Sequence, residues 1–149
     1  MNLSDKTDWN KEQIESFLFA TRVPVRIAVM DQGYPLICSV WFEYEQGNIV
    51  CVSHKDSKLA QLLEREKRCG FEIAPNDPPY MGIRGKADVS VSQSNVETRL
   101  NRLIERYLGN SNPSLANWLL SRVEHEYEFR LTPVWITSWD YSDRMDEPR

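Results

Sequence analysis

The stretch Ser53-His54-Lys55-Asp56-Ser57-Lys58 sets two hydroxyls, an imidazole and two ammonium groups between a β-type run, Ile49 to Ser53, and a helical pattern of Leu59, Leu62 and Leu63. Free backbone N–H groups and the positive end of a helix dipole favour an anion at such a junction. The Ser53 and Ser57 hydroxyls and the Lys58 ammonium would add donors for a phosphate. A plainer reading stays open, in which Ser57 only caps the helix and Lys58 faces solvent. Cys38-Ser39-Val40-Trp41-Phe42 lies on the strand expected to pair with Ile49 to Ser53. A flat heteroaromatic ring can lie along such a strand, held by main-chain N–H and C=O groups while its phosphate reaches the loop. That arrangement would suit a flavin mononucleotide; the alternative is that Trp41 and Phe42 only fill the core.

Other chemistries find little material. The only histidines are His54 and His125, and no serine stands in a G-x-S-x-G turn. His125-Glu126 resembles the start of a zinc H-E-x-x-H helix, but Phe129 occupies the place of the second histidine. Cys38, Cys51 and Cys69 are spaced by 13 and 18 residues, which matches no C-x-x-C or zinc pattern, and they are expected to be reduced thiols buried in strands. The carboxylates are dispersed along surface-like segments. No metal site and no side chain acting as acid or base is expected.

The elements that must position the Ser53–Lys58 stretch follow from apolar spacing. Trp9, Ile14, Phe17 and Leu18 predict a short helix between Asp8, a candidate cap, and Val23-Pro24. Val25 to Met30, Leu36 to Tyr44 and Ile49 to Ser53 predict a meander of strands turned at Asp31-Gln32-Gly33 and Gln46-Gly47-Asn48. A helix is expected over Ser57 to Lys67, then strands over Phe71 to Ala74 and Met81 to Val91, separated by the loop Asn76-Asp77-Pro78-Pro79. Val96, Leu100, Leu103, Ile104 and Tyr107 mark a core-facing helix capped by Ser94 and stopped by Gly109. A short helix over Pro113 to Leu120 and closing strands over Tyr127 to Leu131 and Val134 to Trp139 complete the pattern, with a frayed polar tail from Asp140 to Arg149. Hairpins with inserted helices indicate an antiparallel α+β fold, mainly β, able to close into a small barrel of six or so strands.

Composition sets the outer limits. The chain is 41% hydrophobic and 11% aromatic, enough for one self-sufficient core over residues 1–149. Eighteen Lys and Arg against 22 Asp and Glu leave a net charge of −4, which argues against non-specific nucleic-acid binding. That sum conceals the segment from His54 to Arg68, where Lys55, Lys58, Arg65, Lys67 and Arg68 outnumber Asp56, Glu64 and Glu66. No run approaches the ~18 apolar residues of a membrane span. Met1 to Asn10 lacks the basic and apolar regions of a signal peptide, so a cytoplasmic location is expected.

In order and spacing the sequence resembles the pyridoxamine 5′-phosphate oxidase-like split-barrel family, in its small flavin/deazaflavin oxidoreductase branch. The resemblance rests on Arg26-Ile27-Ala28-Val29 before Gly33-Tyr34-Pro35, on Val40-Trp41-Phe42, and on Asp56-Ser57-Lys58 heading a helix. Further matches are Pro78-Pro79-Tyr80-Met81-Gly82-Ile83-Arg84-Gly85-Lys86-Ala87 and, more weakly, Val134-Trp135-Ile136-Thr137-Ser138-Trp139-Asp140. It implies a six-stranded antiparallel split β-barrel with flanking helices, forming a homodimer with FMN at the subunit interface. Ser39, Val40, Trp41 and Phe42 would line the ring, largely through main-chain atoms, Val52, Ser53 and His54 would continue that wall, and Ser57 and Lys58 would hold the phosphate. Tyr80 would approach from the partner subunit, and Arg84 is a second candidate for the phosphate. Lys58 is followed by Leu59 where the pyridoxamine phosphate oxidases carry an Arg-Lys pair, and Ile37 and Phe42 replace their basic strand residues. The loss of those cations argues against a pyridoxal-phosphate substrate.

The expectation is therefore a flavin-dependent oxidoreductase that passes a hydride or an electron pair to or from a small organic molecule. Two alternatives keep the fold: a deazaflavin-dependent reductase, and a non-enzymatic module holding flavin or haem, with His54 or His125 as a haem ligand.

Overall fold

The computed structural model describes residues 1–145. Two tight hairpins open the β structure. β1 (Val25–Asp31) pairs with β2 (Tyr34–Val40) around Gln32-Gly33, and β3 (Phe42–Glu45) pairs with β4 (Asn48–His54) around Gln46-Gly47. In both turns the two central residues have positive φ, 50° and 84° in the first and 49° and 80° in the second. That backbone matches the twist of the flanking strands, and glycine adopts it without strain.

β5 (Arg68–Ile73), β6 (Met81–Ser92) and β7 (Glu126–Asp140) complete one antiparallel sheet of seven strands, in the order β2-β1-β5-β6-β7-β4-β3. The sheet has seven strands, not the six that the resemblance implies, and two strand boundaries differ from the sequence reading in ways that cancel in the count. The expected strand Leu36 to Tyr44 is divided at Trp41, where the chain leaves one edge of the sheet and joins the other. The two expected closing strands are one, because the register opposite β6 shifts between Lys86 and Ala87 and leaves Val134 as an extra residue. A bulge of this kind absorbs Pro133, which has no N–H for the ladder.

The sheet curls around an apolar interior. Ile27, Val29, Phe42, Ile49, Cys51, Phe71, Ile73, Ile83, Phe129, Leu131 and Ile136 pack there with α1 (Lys11–Ala20) and α2 (Lys58–Glu66), which contribute Ile14 and Leu18, and Leu59, Leu62 and Leu63. α1 is capped by Asn10 in a reciprocal box with Gln13, while Asp8 instead accepts the Asp140 N–H at 2.8 Å. Cys51 and Cys69 are buried as expected, but Cys38, on edge strand β2, is only partly covered.

α3 (Val96–Tyr107) covers the outer side of β3, β4 and β7, and α4 (Pro113–Leu120) packs against α3. The N-cap of α3 is Asn95 rather than Ser94, whose hydroxyl bonds to Ser92 instead. Leu100, Leu103 and Ile104 are buried, each contributing about 1.5–3 kcal/mol. Arg99 pins the helix to the sheet. Its Nη1, Nη2 and Nε lie 2.5, 2.5 and 3.0 Å from Glu43, Glu45 and Glu128, and Arg102 and Arg130 complete a balanced set of three cations and three carboxylates. The Arg99 hydrogen bond holds the Glu45 carboxyl down at about 2. After a 3₁₀ turn at Val123–His125 the chain enters β7, and α5 (Ser142–Met145) follows it. Of the tail expected to fray, residues 146–149 lie outside the described residues.

Candidate functional site

β2 and β3 are the two edges of the curled sheet, so it stays open where the chain crosses from one to the other at Trp41. β2 pairs only with β1, which leaves alternate main-chain N–H and C=O groups of Ser39 and its neighbours free of ladder bonds. Trp41 at the crossing is fixed by stacking on Tyr107, with ring centroids 5.1 Å apart and planes 5° from parallel. Tyr107 is held in turn, since its hydroxyl accepts the Phe42 N–H at 3.2 Å and donates to the Val23 carbonyl at 3.1 Å.

Of the residues singled out in the sequence, Ser39, Val40, Trp41 and Val52 meet around one cavity of 270 Å³. Phe42 does not join them, because its side chain is fully buried in the barrel interior. Ser53 points inward as well, its hydroxyl 2.9 Å from that of Ser57. Ser57 caps α2 by accepting the Ala60 N–H at 3.0 Å, and Lys58 lies 3.3 Å from Asp31 at the end of β1. His54 accepts the Asp56 N–H through Nδ1 and stands 5.9 Å from His125, ring to ring.

Tyr80 and Arg84 lie elsewhere. Arg84 is level with Glu72 and Arg26 across three strands, whereas Lys58 is beside Asp31. Arg26 and Asp31 are separated by five residues of strand, about 17 Å at the rise of a β-strand. Arg84 and Lys58 therefore cannot grip one phosphate within one chain. Tyr80 is half-exposed, with its N–H on the Met145 sulfur.

Arg84 belongs to a second feature, a trough on the uncovered outer face of the sheet. Ile37, Ala28, Gly70, Lys86 and Trp135 form one row across five strands. The small Ala28 and Gly70 make its floor, and cavities of 450 and 490 Å³ share them. Met30, Ile37 and Val134, all exposed, line this face.

No family model matches the chain, and no curated relative matches it in sequence. Solved structures do. A conserved hypothetical protein from Mycobacterium tuberculosis superposes with a TM-score of 0.77 at 16% identity, over 100% of this chain and 95% of that one. The chain has the pyridoxamine 5′-phosphate oxidase-like split-barrel fold. An F420 reductase has the same split barrel, with a TM-score of 0.69 at 14% identity over 86% of this chain and 98% of that one. A FAD-binding protein from Mesorhizobium loti gives 0.63 at 13% identity, over 87% and 92% of the two chains. No described helix is long and apolar enough to cross a membrane.

The sequence reading missed the other half of the cavity in this split barrel. Leu100 and Leu103 of α3, Leu115 and Leu119 of α4, and Glu126 line it opposite Ser39, Val40, Trp41 and Val52. The signal was present in α4, whose Pro-Ser-Leu-Ala-Asn-Trp-Leu-Leu sequence has no charged residue and yet buries none.

Proposed function

We propose that this chain is a homodimeric, FMN-binding oxidoreductase acting on a small organic molecule. The observation that carries the proposal is the open edge at Ser39–Trp41, where unladdered main-chain groups and a rigidly stacked indole lie beside Val52. A flavin bound there would supply a ring that takes up and releases a pair of electrons as hydride. The ring is larger than the 270 Å³ cavity, since 150 Å³ suffices for benzene. It would therefore lie along the edge and over the neighbouring open face rather than inside the cavity. Main-chain donors and acceptors of Ser39, Val40 and Trp41 would orient it, with His54 beyond Val52 on β4.

Ser57, Lys58 and the free N–H groups at the start of α2 would hold the phosphate, with Asp31 competing for Lys58. The exposed Met30, Ile37 and Val134 around the trough support a second copy of the chain against this face, bringing the partner's Tyr80 and Arg84 toward the ring and phosphate. The unpaired thiols Cys38, Cys51 and Cys69 suit a reducing compartment such as the cytosol. A second reading, favoured by the likeness to the F420 reductase, puts a deazaflavin in the same place. Its longer anionic tail asks for more positive charge than Lys58 offers beside Asp31.

The test is titration with FMN and with riboflavin, which lacks the phosphate. Lys58→Ala is expected to weaken FMN binding by about 1.5–3 kcal/mol, the worth of a hydrogen bond to a charged group. It should leave riboflavin nearly unchanged. Asp31→Asn, which frees Lys58, should strengthen FMN. Equal losses for both ligands on Lys58→Ala, or no binding of either by the wild-type protein, overturn the reading.

A further inference from the structure

The cavity under α4 carries one charged group, Glu126, in a wall that is otherwise mainly apolar apart from Ser39. Leu100, Leu103, Leu115, Leu119 and Trp41 supply most of the lining, and Glu126 supplies a carboxyl. Glu126 is 7% exposed, and no described residue hydrogen-bonds to its side chain. Its nearest cation, Nη2 of Arg122, stands 3.9 Å away, and the Arg122 guanidinium lies over the Trp118 ring at 4.2 Å. Burial raises the Glu126 carboxyl above its ordinary range, against the opposing pull of Arg122, His54 and His125. A largely buried carboxyl that meets water only through the cavity and makes no hydrogen bond among the described residues gains from a donor that a ligand brings to it.

We infer that this cavity is a binding site for a small primary amine with an apolar body, whose ammonium sits on Glu126 and whose hydrocarbon lies among the leucines of α3 and α4. An ammonium offers both the opposite charge and three N–H donors. The leucines of α3 and α4 favour an apolar remainder, with Ser39 the one other polar residue of the lining. Scaled from a 150 Å³ cavity that holds benzene, 270 Å³ takes about ten non-hydrogen atoms, the size of an arylalkyl amine. Trp41, locked flat against Tyr107, gives the body a preset surface to lie on. The cavity shares Ser39, Val40 and Trp41 with the edge proposed for the flavin, but Glu126 and the leucines of α3 and α4, on which the inference rests, lie outside that edge.

Phenethylamine, titrated into the purified full-length protein by calorimetry, should bind saturably at one site per chain. 2-Phenylethanol, which keeps the shape and loses the charge, should bind at least tenfold more weakly. Glu126→Gln should weaken phenethylamine tenfold or more and leave 2-phenylethanol unchanged. Leu119→Trp, placed on a helix that buries no residue of its own, should fill the cavity and abolish binding of both. Absence of saturable phenethylamine binding, unchanged affinity in Glu126→Gln, or unchanged binding in Leu119→Trp overturns the inference. Flavin titration of the same variants shows separately whether the edge site still binds.

Discussion

Replacing Arg99 by Met tests how the roof of the cavity is held to the barrel. Arg99 is 5% exposed and bonds Glu43, Glu45 and Glu128 from three nitrogens, so the substitution removes one cation from a set of three against three. Met keeps the apolar length of the side chain and isolates the loss of charge. Breaking a buried pair by deleting one partner costs about 3–5 kcal/mol. Arg102 still reaches Glu43 and Glu45, and Arg130 still reaches Glu128 at 3.5 Å, so the lower end, about 3 kcal/mol, is expected at pH 7. At roughly 2–4 °C per kcal/mol for a chain of this length, Tm should fall by about 6–12 °C.

The pH dependence gives the sharper check. Glu45, ordinarily at 4.5, is held at about 2 by its Arg99 hydrogen bond. Its contribution to stability is therefore complete above the ordinary value and is lost as pH falls through about 2. The gap between wild type and Arg99→Met should narrow steadily between pH 5 and pH 2.5, and adding Glu128→Gln to Arg99→Met should recover part of the loss at pH 7. Thermal unfolding followed by circular dichroism gives Tm, and urea unfolding at each pH gives the gap. A Tm within 2 °C of wild type at pH 7, or a gap that does not change with acid, would refute the account.

Two further outcomes rest on packing and burial. A Cβ at Gly85 would stand 2.7 Å from the Phe71 ring and press on the Trp135 carbonyl; Gly85→Ala should destabilise the protein by about 1–3 kcal/mol in urea unfolding. Among the thiols, Cys51 is fully buried and driven upward by burial, and Cys69 is pushed up to about 12 by the same cause. Under native conditions a thiol reagent should therefore modify Cys38 alone, and slowly, since burial raises that thiol too; mass spectrometry that finds Cys51 or Cys69 labelled first would contradict the packing described.

Local pattern reached far into this fold because its elements obey short-range rules. Gln32-Gly33 and Gln46-Gly47 mark turns whose positive φ values glycine tolerates, and the Leu59, Leu62, Leu63 spacing after Ser57 marks a capped helix. Where pairing over distance competes with local signals, the sequence misled. Pro133 reads as a break between strands, yet the long partner β6 carries the chain across it by a one-residue shift at Val134. The direction of the Phe42 side chain is likewise set at a distance, by the crossing at Trp41 that turns it into the barrel.

The amino-acid order alone determined an antiparallel, mainly β chain with helices inserted between hairpins, the capped start of α2 and the basic segment around it, because each depends on residues within a few positions of one another. Only the tertiary structure decided which residues share a site. The tertiary fold leaves the sheet edge open at Ser39–Trp41, sets Arg84 level with Arg26 and Lys58 beside Asp31, about 17 Å further along β1, and brings α3 and α4 to the cavity lined by Glu126. Those relations join residues up to 87 positions apart, from Ser39 to Glu126. They arise from the closing of the barrel around its buried core, which no local spacing encodes.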